Sequence, residues 1–227
     1  IEVMRPKAVE NRFEQHIGFD VNWVIKQDRL NRYRMSYRFE WQELPYLIFF
    51  STRFDHEKKG ALLIRDNGFY HLRGILNPLD TLQYEAFAQK EYDVFLNLTD
   101  RVLLGGGWRM KCAPIFAGQD PFFWGIGMLH EKVSLSDADS SINRVRLNTY
   151  LTFFHTLDHM TFNFTAYIQP AISDFGDLKG LINAGATMPF SSHISYRASI
   201  FTKYHRTPYP DLEPVNITIE NALYLQF

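Results

Sequence analysis

The sequence predicts an all-β chain, an antiparallel up-and-down transmembrane β-barrel of about twelve strands. Three observations carry that prediction. Apolar and polar residues alternate with period two along most of the 227 residues, which is strand periodicity and not the 3.6 of a helix. About twelve such strands closing with their apolar faces inward would enclose a large dry void, since about eight strands already leave just enough room for side chains. Pointing the aromatic face outward into lipid and the charged face into a wet interior removes the void. Finally, the last segment is an amphipathic strand that stops on an aromatic residue, Phe227.

In chain order, residues 1–11 form an N-terminal segment expected on the periplasmic side, and 12–227 a single barrel domain. The first strand, 12–27, sets Phe13, Ile17, Phe19, Val21 and Trp23 against Glu14, His16, Asp20 and Asn22. The second, 32–43, sets Tyr33, Met35, Tyr37, Phe39 and Trp41 against Arg32, Arg34, Arg38, Glu40 and Gln42. The same two-faced pattern predicts strands over 45–55, 69–77, 82–94, 101–111, 121–132, 143–155, 159–170, 178–188, 193–205 and 215–227. Between them lie turn residues, among them Leu44-Pro45, Asn77-Pro78, the stretch Ser173 to Asp177, and Thr207-Pro208. An even strand number puts both termini on one side, with short turns at 43–46, 77–81 and 188–193 and longer loops at 56–68, 133–142 and 206–214. Strands of about 9 to 13 residues cross a bilayer when tilted, and Trp23, Trp41, Tyr46, Trp108, Trp124, Tyr204 and Phe227 are placed for interfacial girdles. Ile1 to Pro6 has no apolar core, so the chain is expected to be a mature one.

Composition excludes several classes. With 24 Lys and Arg against 25 Asp and Glu, charge gives no pull toward nucleic acid. The single cysteine, Cys112, cannot close an internal disulfide. At 46% hydrophobic and 16% aromatic residues the chain is not disordered.

Several stretches carry a resemblance: Asn67 to Arg73, Glu85 to Tyr92, Asp100 to Arg109 with its glycine run, Arg146 to Leu151, Tyr167 to Pro170 with Asp174-Phe175, and the terminal strand. In this order they are similar to bacterial outer-membrane proteins with domain of unknown function 481, also described as salt-induced, in the version found in Bacteroidota. The resemblance implies a barrel and an outer-membrane address and transfers no catalytic residue. Trp108 after the glycines departs from the family's usual small or apolar residue. Val215, Ile217, Ile219, Leu223, Leu225 and Phe227 look like an assembly signal of outer-membrane barrels, with Leu223, Leu225 and Phe227 at its end.

Motifs for chemistry are sparse. His155 and His159 flank a turn, His130-Glu131 lacks a second histidine four residues on, and no nucleophile elbow or phosphate loop occurs, so no metal and no cofactor are expected. Gly105-Gly106-Gly107 lies inside an alternating strand, where glycine serves a bend or close packing. A lipid hydrolase would need a histidine at the rim, such as His130 or His205 with Ser134 or Thr207 nearby.

The polar face is richer. Glu14, Asp20, Arg34, Arg38, Arg73, Glu85, Glu91 and Arg109 place opposite charges on neighbouring strands, and Arg101, Glu131 and Arg146 share that face. They read as a self-neutralising wall or, since basic residues are in excess there, as an anion-leaning channel. Large groups on the same face, Phe87, Tyr150 and Tyr167 among them, narrow any passage. The function expected is therefore a scaffold or accessory subunit of an envelope assembly, with a small-solute pore as the alternative and an outer-membrane lipid hydrolase as a third. Around the barrel, lipid is the expected surrounding, and Ala166, Gly180, Ala184, Ala186 and Ala198 on strands nine to eleven mark a face for a membrane protein partner or a second copy.

Overall fold

The structure is a computed structural model that describes residues 12–24, 30–113, 122–136, 141–157, 159–191, 194–208 and 213–225; for 12, 14–24, 30–32, 96, 220 and 222–225 it describes the backbone alone. Among these residues it is all-β apart from one short 3-10 turn, Val94–Leu96. Twelve strands form one antiparallel sheet in sequence order, β1 (Arg12–Val24), β2 (Leu30–Glu43), β3 (Tyr46–Lys59), β4 (Leu62–Leu76), β5 (Leu82–Asp93), β6 (Leu98–Cys112), β7 (Phe122–Leu135), β8 (Ile142–Leu157), β9 (Met160–Pro170), β10 (Leu178–Pro189), β11 (Ile194–His205) and β12 (Val215–Leu225). Every neighbour in this meander is the next strand along the chain, the topology of an up-and-down barrel. The predicted N-terminal segment 1–11 lies outside the described residues.

Strand existence follows the alternation, and the boundaries are where the structure corrects it. The predicted loop over 56–68 is strand: β3 continues to Lys59, a tight turn occupies Gly60 and Ala61, and β4 starts at Leu62 instead of at 69. Gly60 has φ +60°, a conformation that glycine adopts at no steric cost. The run Leu62-Leu63-Ile64 and the polar stretch Arg65 to Gly68 break period two, and a register shift between Glu57 and Lys58 absorbs the mismatch. Likewise β6 begins at Leu98, where Asp93 caps the preceding turn by accepting from the Phe95 amide at 3.1 Å. At opposite ends of the strands, turns are tied to their neighbours, Asn77 N–H to the Pro45 carbonyl at 2.7 Å and Ser136 N–H to the Asn97 carbonyl at 2.9 Å.

Close packing divides the chain into two compact units. The first holds β1–β5, β6 to Gly106, β7 from Leu129 and the start of β8; the second holds the rest of β6 and β7, β8 from Arg146, and β9–β12. In the first, odd residues of β3, β4 and β5 such as Leu47, Phe49, His71, Arg73, Ile75, Glu85, Phe87 and Gln89 are buried, while even ones such as Tyr46, Ile48, Leu72, Leu76 and Tyr84 are exposed. In the second, Arg146, Asn148, Tyr150, Thr152, Tyr167 and Gln169 are buried, while Ile168, Ile182, Ile200 and Ile217 are exposed.

Candidate functional site

The buried face of the first unit is built from charges that neutralise one another. Arg34 lies directly across from Asp55 in the β2–β3 register and donates to its Oδ2 from Nη2 at 2.9 Å and Nε at 3.2 Å; Arg65 reaches the same oxygen at 3.2 Å. Arg38 pairs with Glu40 two residues on and lies over the Phe49 ring at 4.9 Å. Arg73 sits 3.5 Å from Glu85, both nearly without solvent contact, with its guanidinium 5.2 Å from the Phe87 ring centre. His71 faces Gln89 at 3.2 Å between the rings of Phe49, Phe69 and Phe87, and Gln89 donates to Glu91 at 3.4 Å. Arg101 closes the chain of contacts, pairing with Glu91 and with Glu131, the latter at 2.6 Å.

Taking an ion out of water costs several kcal/mol unless a partner and further hydrogen bonds repay it. Each arginine here has its carboxylate, and aromatic rings cover guanidinium planes, which accept stacking without losing edge hydrogen bonds. The balance of the last cluster is uneven, two carboxylates to one guanidinium. Glu131→Gln is therefore expected to shift stability by less than about 1 kcal/mol, since Arg101 keeps Glu91, whereas Arg101→Met should cost about 3–5 kcal/mol because it strands two buried carboxylates. Urea unfolding of the two variants separates them, and equal midpoints would refute the assignment.

The second unit gathers its polar groups around Asp177, at the junction of the turn 171–177 with β10. Arg146 Nη2 donates to Asp177 Oδ2 at 2.8 Å, and Nη1 donates to the carbonyls of Asp177 and Gln169 at 3.0 and 3.1 Å. On Oδ1 of the same carboxylate, His205 Nε2 stands at 3.1 Å and the Thr207 hydroxyl donates at 3.2 Å. Gln169 also donates to Asn148 Oδ1 at 2.8 Å. Asp177 and Arg146 are 2% and 1% exposed. Below this cluster, Thr152 and Thr165 share a hydrogen bond, and Tyr150 packs on Tyr167 at 5.1 Å between ring centres.

Some of the charges singled out in the sequence meet one another in the structure. Arg73 and Glu85 meet as expected. Glu91 pairs with Arg101, and the Arg109 guanidinium lies 3.8 Å over the Phe123 ring. Arg34 pairs with Asp55; Asp20 is its partner in the β1–β2 register, and Glu14 is that of Glu40, but the side chains of Glu14 and Asp20 lie outside the described residues. Arg65 and Asp177 escaped the sequence reading. Arg65 broke the alternation, and Asp177 sat in a stretch that reads as a turn.

The small residues of strands nine to eleven share the exposed side of the sheet but do not form one smooth patch. Ala186 and Ala198 face each other; Ala184 lies between Phe164 and Ile200, Gly180 between Ile168 and Tyr204, and Ala166 between Leu151 and Ile182. Asn221, polar in an apolar row, accepts from the Tyr196 hydroxyl at 2.6 Å within the chain. In the terminal strand Leu223 and Leu225 pair by backbone with Tyr196 and Ile194, and Phe227 lies outside the described residues. Among the described residues no three His, Cys, Asp or Glu side chains gather as metal ligands, and no helix is long and apolar enough to cross a membrane, which says nothing of strands. No family model, curated protein or solved structure matches the chain.

Proposed function

We propose that the chain is an integral outer-membrane β-barrel serving as a scaffold or accessory subunit of an envelope assembly, a member of the group with domain of unknown function 481 that its sequence resembles. The observation that carries this reading is the inversion of burial. Arg73, Arg146, Glu85, Glu131 and Asp177 are buried, while Ile168, Leu72, Leu104, Trp108, Ile217 and Ile219 are exposed, the last two above 60%. Water reverses that preference in a soluble protein, where charged groups are the least often buried. Hydrocarbon around the sheet makes exposed isoleucine favourable, and antiparallel pairing satisfies the backbone that lipid cannot. Exposed Trp108, Trp124, Tyr46 and Tyr204 support interfacial girdles.

A scaffold is favoured over a pore because the basic groups that would attract an anion are already matched: Arg73 by Glu85, Arg101 by Glu91 and Glu131, Arg146 by Asp177. A fixed charge with its counter-charge in contact offers a passing ion little field. The purified protein is expected to need detergent, to show heat-dependent gel mobility, and to give no reproducible conductance in planar bilayers. Steady anion-preferring channels would reverse the order of scaffold and pore, and solubility without detergent would end both.

A further inference from the structure

The turns that follow β2 and β4 are joined into one rim of the first unit. Asn77 N–H donates to the Pro45 carbonyl at 2.7 Å, which ties the turn Leu44-Pro45 to the turn between β4 and β5. That second turn is held from inside. Gln83, 1% exposed, donates from Nε2 to the carbonyls of Pro78 and Asp80 at 2.8 and 3.0 Å, and Asp80 N–H reaches the Asn77 carbonyl at 3.1 Å. On this fixed frame stand three exposed leucines, Leu44, Leu79 and Leu82, at 45%, 37% and 45%. Glu43 and Asp80 are exposed beside them, with no ion pair among the described residues, and the stretches 43–46 and 77–82 hold no lysine or arginine.

The rim's chemistry selects what covers the leucines. Tyr46, Leu76 and Tyr84 lie in register across β3, β4 and β5, and both tyrosines are exposed. Tyrosine favours a membrane–water boundary, so on the membrane reading the two turns project past that boundary into water. Lipid is then a poor cover, because Glu43 and Asp80 would have to enter hydrocarbon together with the leucines. A second copy of the same rim brings two more carboxylates to a surface without a cation. A protein segment with apolar side chains edged by lysine or arginine answers both features at once: it takes the leucines out of water and gives each carboxylate a counter-charge. Because the turns are already fixed by hydrogen bonds, docking costs them little ordering.

Resting on the membrane reading above, we propose that this rim docks a soluble partner protein through a segment whose apolar side chains are edged by lysine or arginine. The test uses the full chain in nanodiscs of zwitterionic lipid, with empty discs as the blank, and two fluorescent amphipathic peptides identical but for lysine in one and glutamate in the other. Anisotropy should show the lysine peptide bound about tenfold more tightly than the glutamate one, a difference of roughly 1.4 kcal/mol. Glu43→Gln with Asp80→Asn should erase that difference, and Leu79→Ser with Leu82→Ser should weaken the lysine peptide by about tenfold as well. Binding no stronger than to empty discs assigns the leucines to lipid and overturns the proposal, and so does a charge preference that survives the double neutralisation. A dimer of chains that blocks the peptide gives the rim to a second copy and likewise overturns it. Should the serine variant fail to fold, the neutralised variant decides. Failure of the membrane reading shows separately and earlier, as a chain that is soluble without detergent and lacks heat-dependent mobility before any disc is formed.

Discussion

Replacing Arg146 by Met is expected to destabilise the protein by about 3–5 kcal/mol, among the largest single-residue effects in the second unit. Its guanidinium holds three acceptors at once, the Asp177 carboxylate and the carbonyls of Gln169 and Asp177, with almost no solvent contact. Without it the Asp177 carboxylate, in a desolvated site, loses its guanidinium partner while His205 and Thr207 stay, and the carbonyls of Gln169 and Asp177 each lose a donor. Asp177→Ala should cost a similar amount for the mirror reason. Arg146→Lys separates charge from geometry: a compact ammonium can serve the carboxylate but not the planar fork of three acceptors, so an intermediate loss is expected. The double change Arg146→Met with Asp177→Ala should cost less than the sum of the singles, because it removes the stranded charge along with its partner. Urea midpoints in one detergent measure all four variants, and a wild-type midpoint for Arg146→Met would refute the role given to the cluster.

How far this could be read from sequence depends on the residue. β2 is legible because Tyr33, Met35, Tyr37 and Phe39 alternate strictly with Arg34, Ser36, Arg38 and Glu40. The start of β4 is not, because Leu62, Leu63 and Ile64 are consecutive and apolar, and a bulge that re-phases the strand leaves no periodic trace. Which side of the sheet buries its charges follows from the alternation once the surroundings are hydrocarbon, but pairing does not. Glu91 has arginines on the strands to either side, and only the register decides that Arg101 takes it. Asp177 reads as turn chemistry because aspartate favours turns; it is buried because the turn folds back, with Ala171 N–H on the Asp177 carbonyl and Asp177 N–H on that of Asp174. A trace was present nonetheless. The stretches Arg146 to Leu151, Tyr167 to Pro170 and Asp174-Phe175, which carry the resemblance, supply Arg146, Asn148, Gln169 and the turn itself to this one cluster.

Gly107→Ala is expected to prevent the chain from reaching its heat-resistant folded form, although it adds a single methyl group. The glycine run of β6 packs closely, and its members differ in what a side chain would strike. At Gly105 a Cβ would meet the tip of the Phe87 ring at 2.5 Å and Leu129 Cβ at 2.9 Å. The ring tip can turn aside and Leu129 Cβ must shift with its backbone by a few tenths of an ångström, so Gly105→Ala should cost about 1–3 kcal/mol as overpacking. At Gly107 the Cβ would strike the Ile126 carbonyl oxygen and lie 2.5 Å from the α-carbon of Gly127, all backbone of the adjacent β7. Backbone cannot rotate aside; relief requires β6 and β7 to part, which breaks ladder hydrogen bonds between them, and on the proposed membrane reading hydrocarbon offers no replacement. Gly74→Ala is the control, since a Cβ there meets nothing within 4 Å, and its effect should stay within about 0.5 kcal/mol. The ranking Gly107, Gly105, Gly74 is read from the fraction of each variant showing heat-dependent gel mobility and from urea midpoints of those that fold. A Gly107→Ala protein as stable as the Gly74→Ala control would show that the two strands have room to spare, and that the run serves a bend and not close approach.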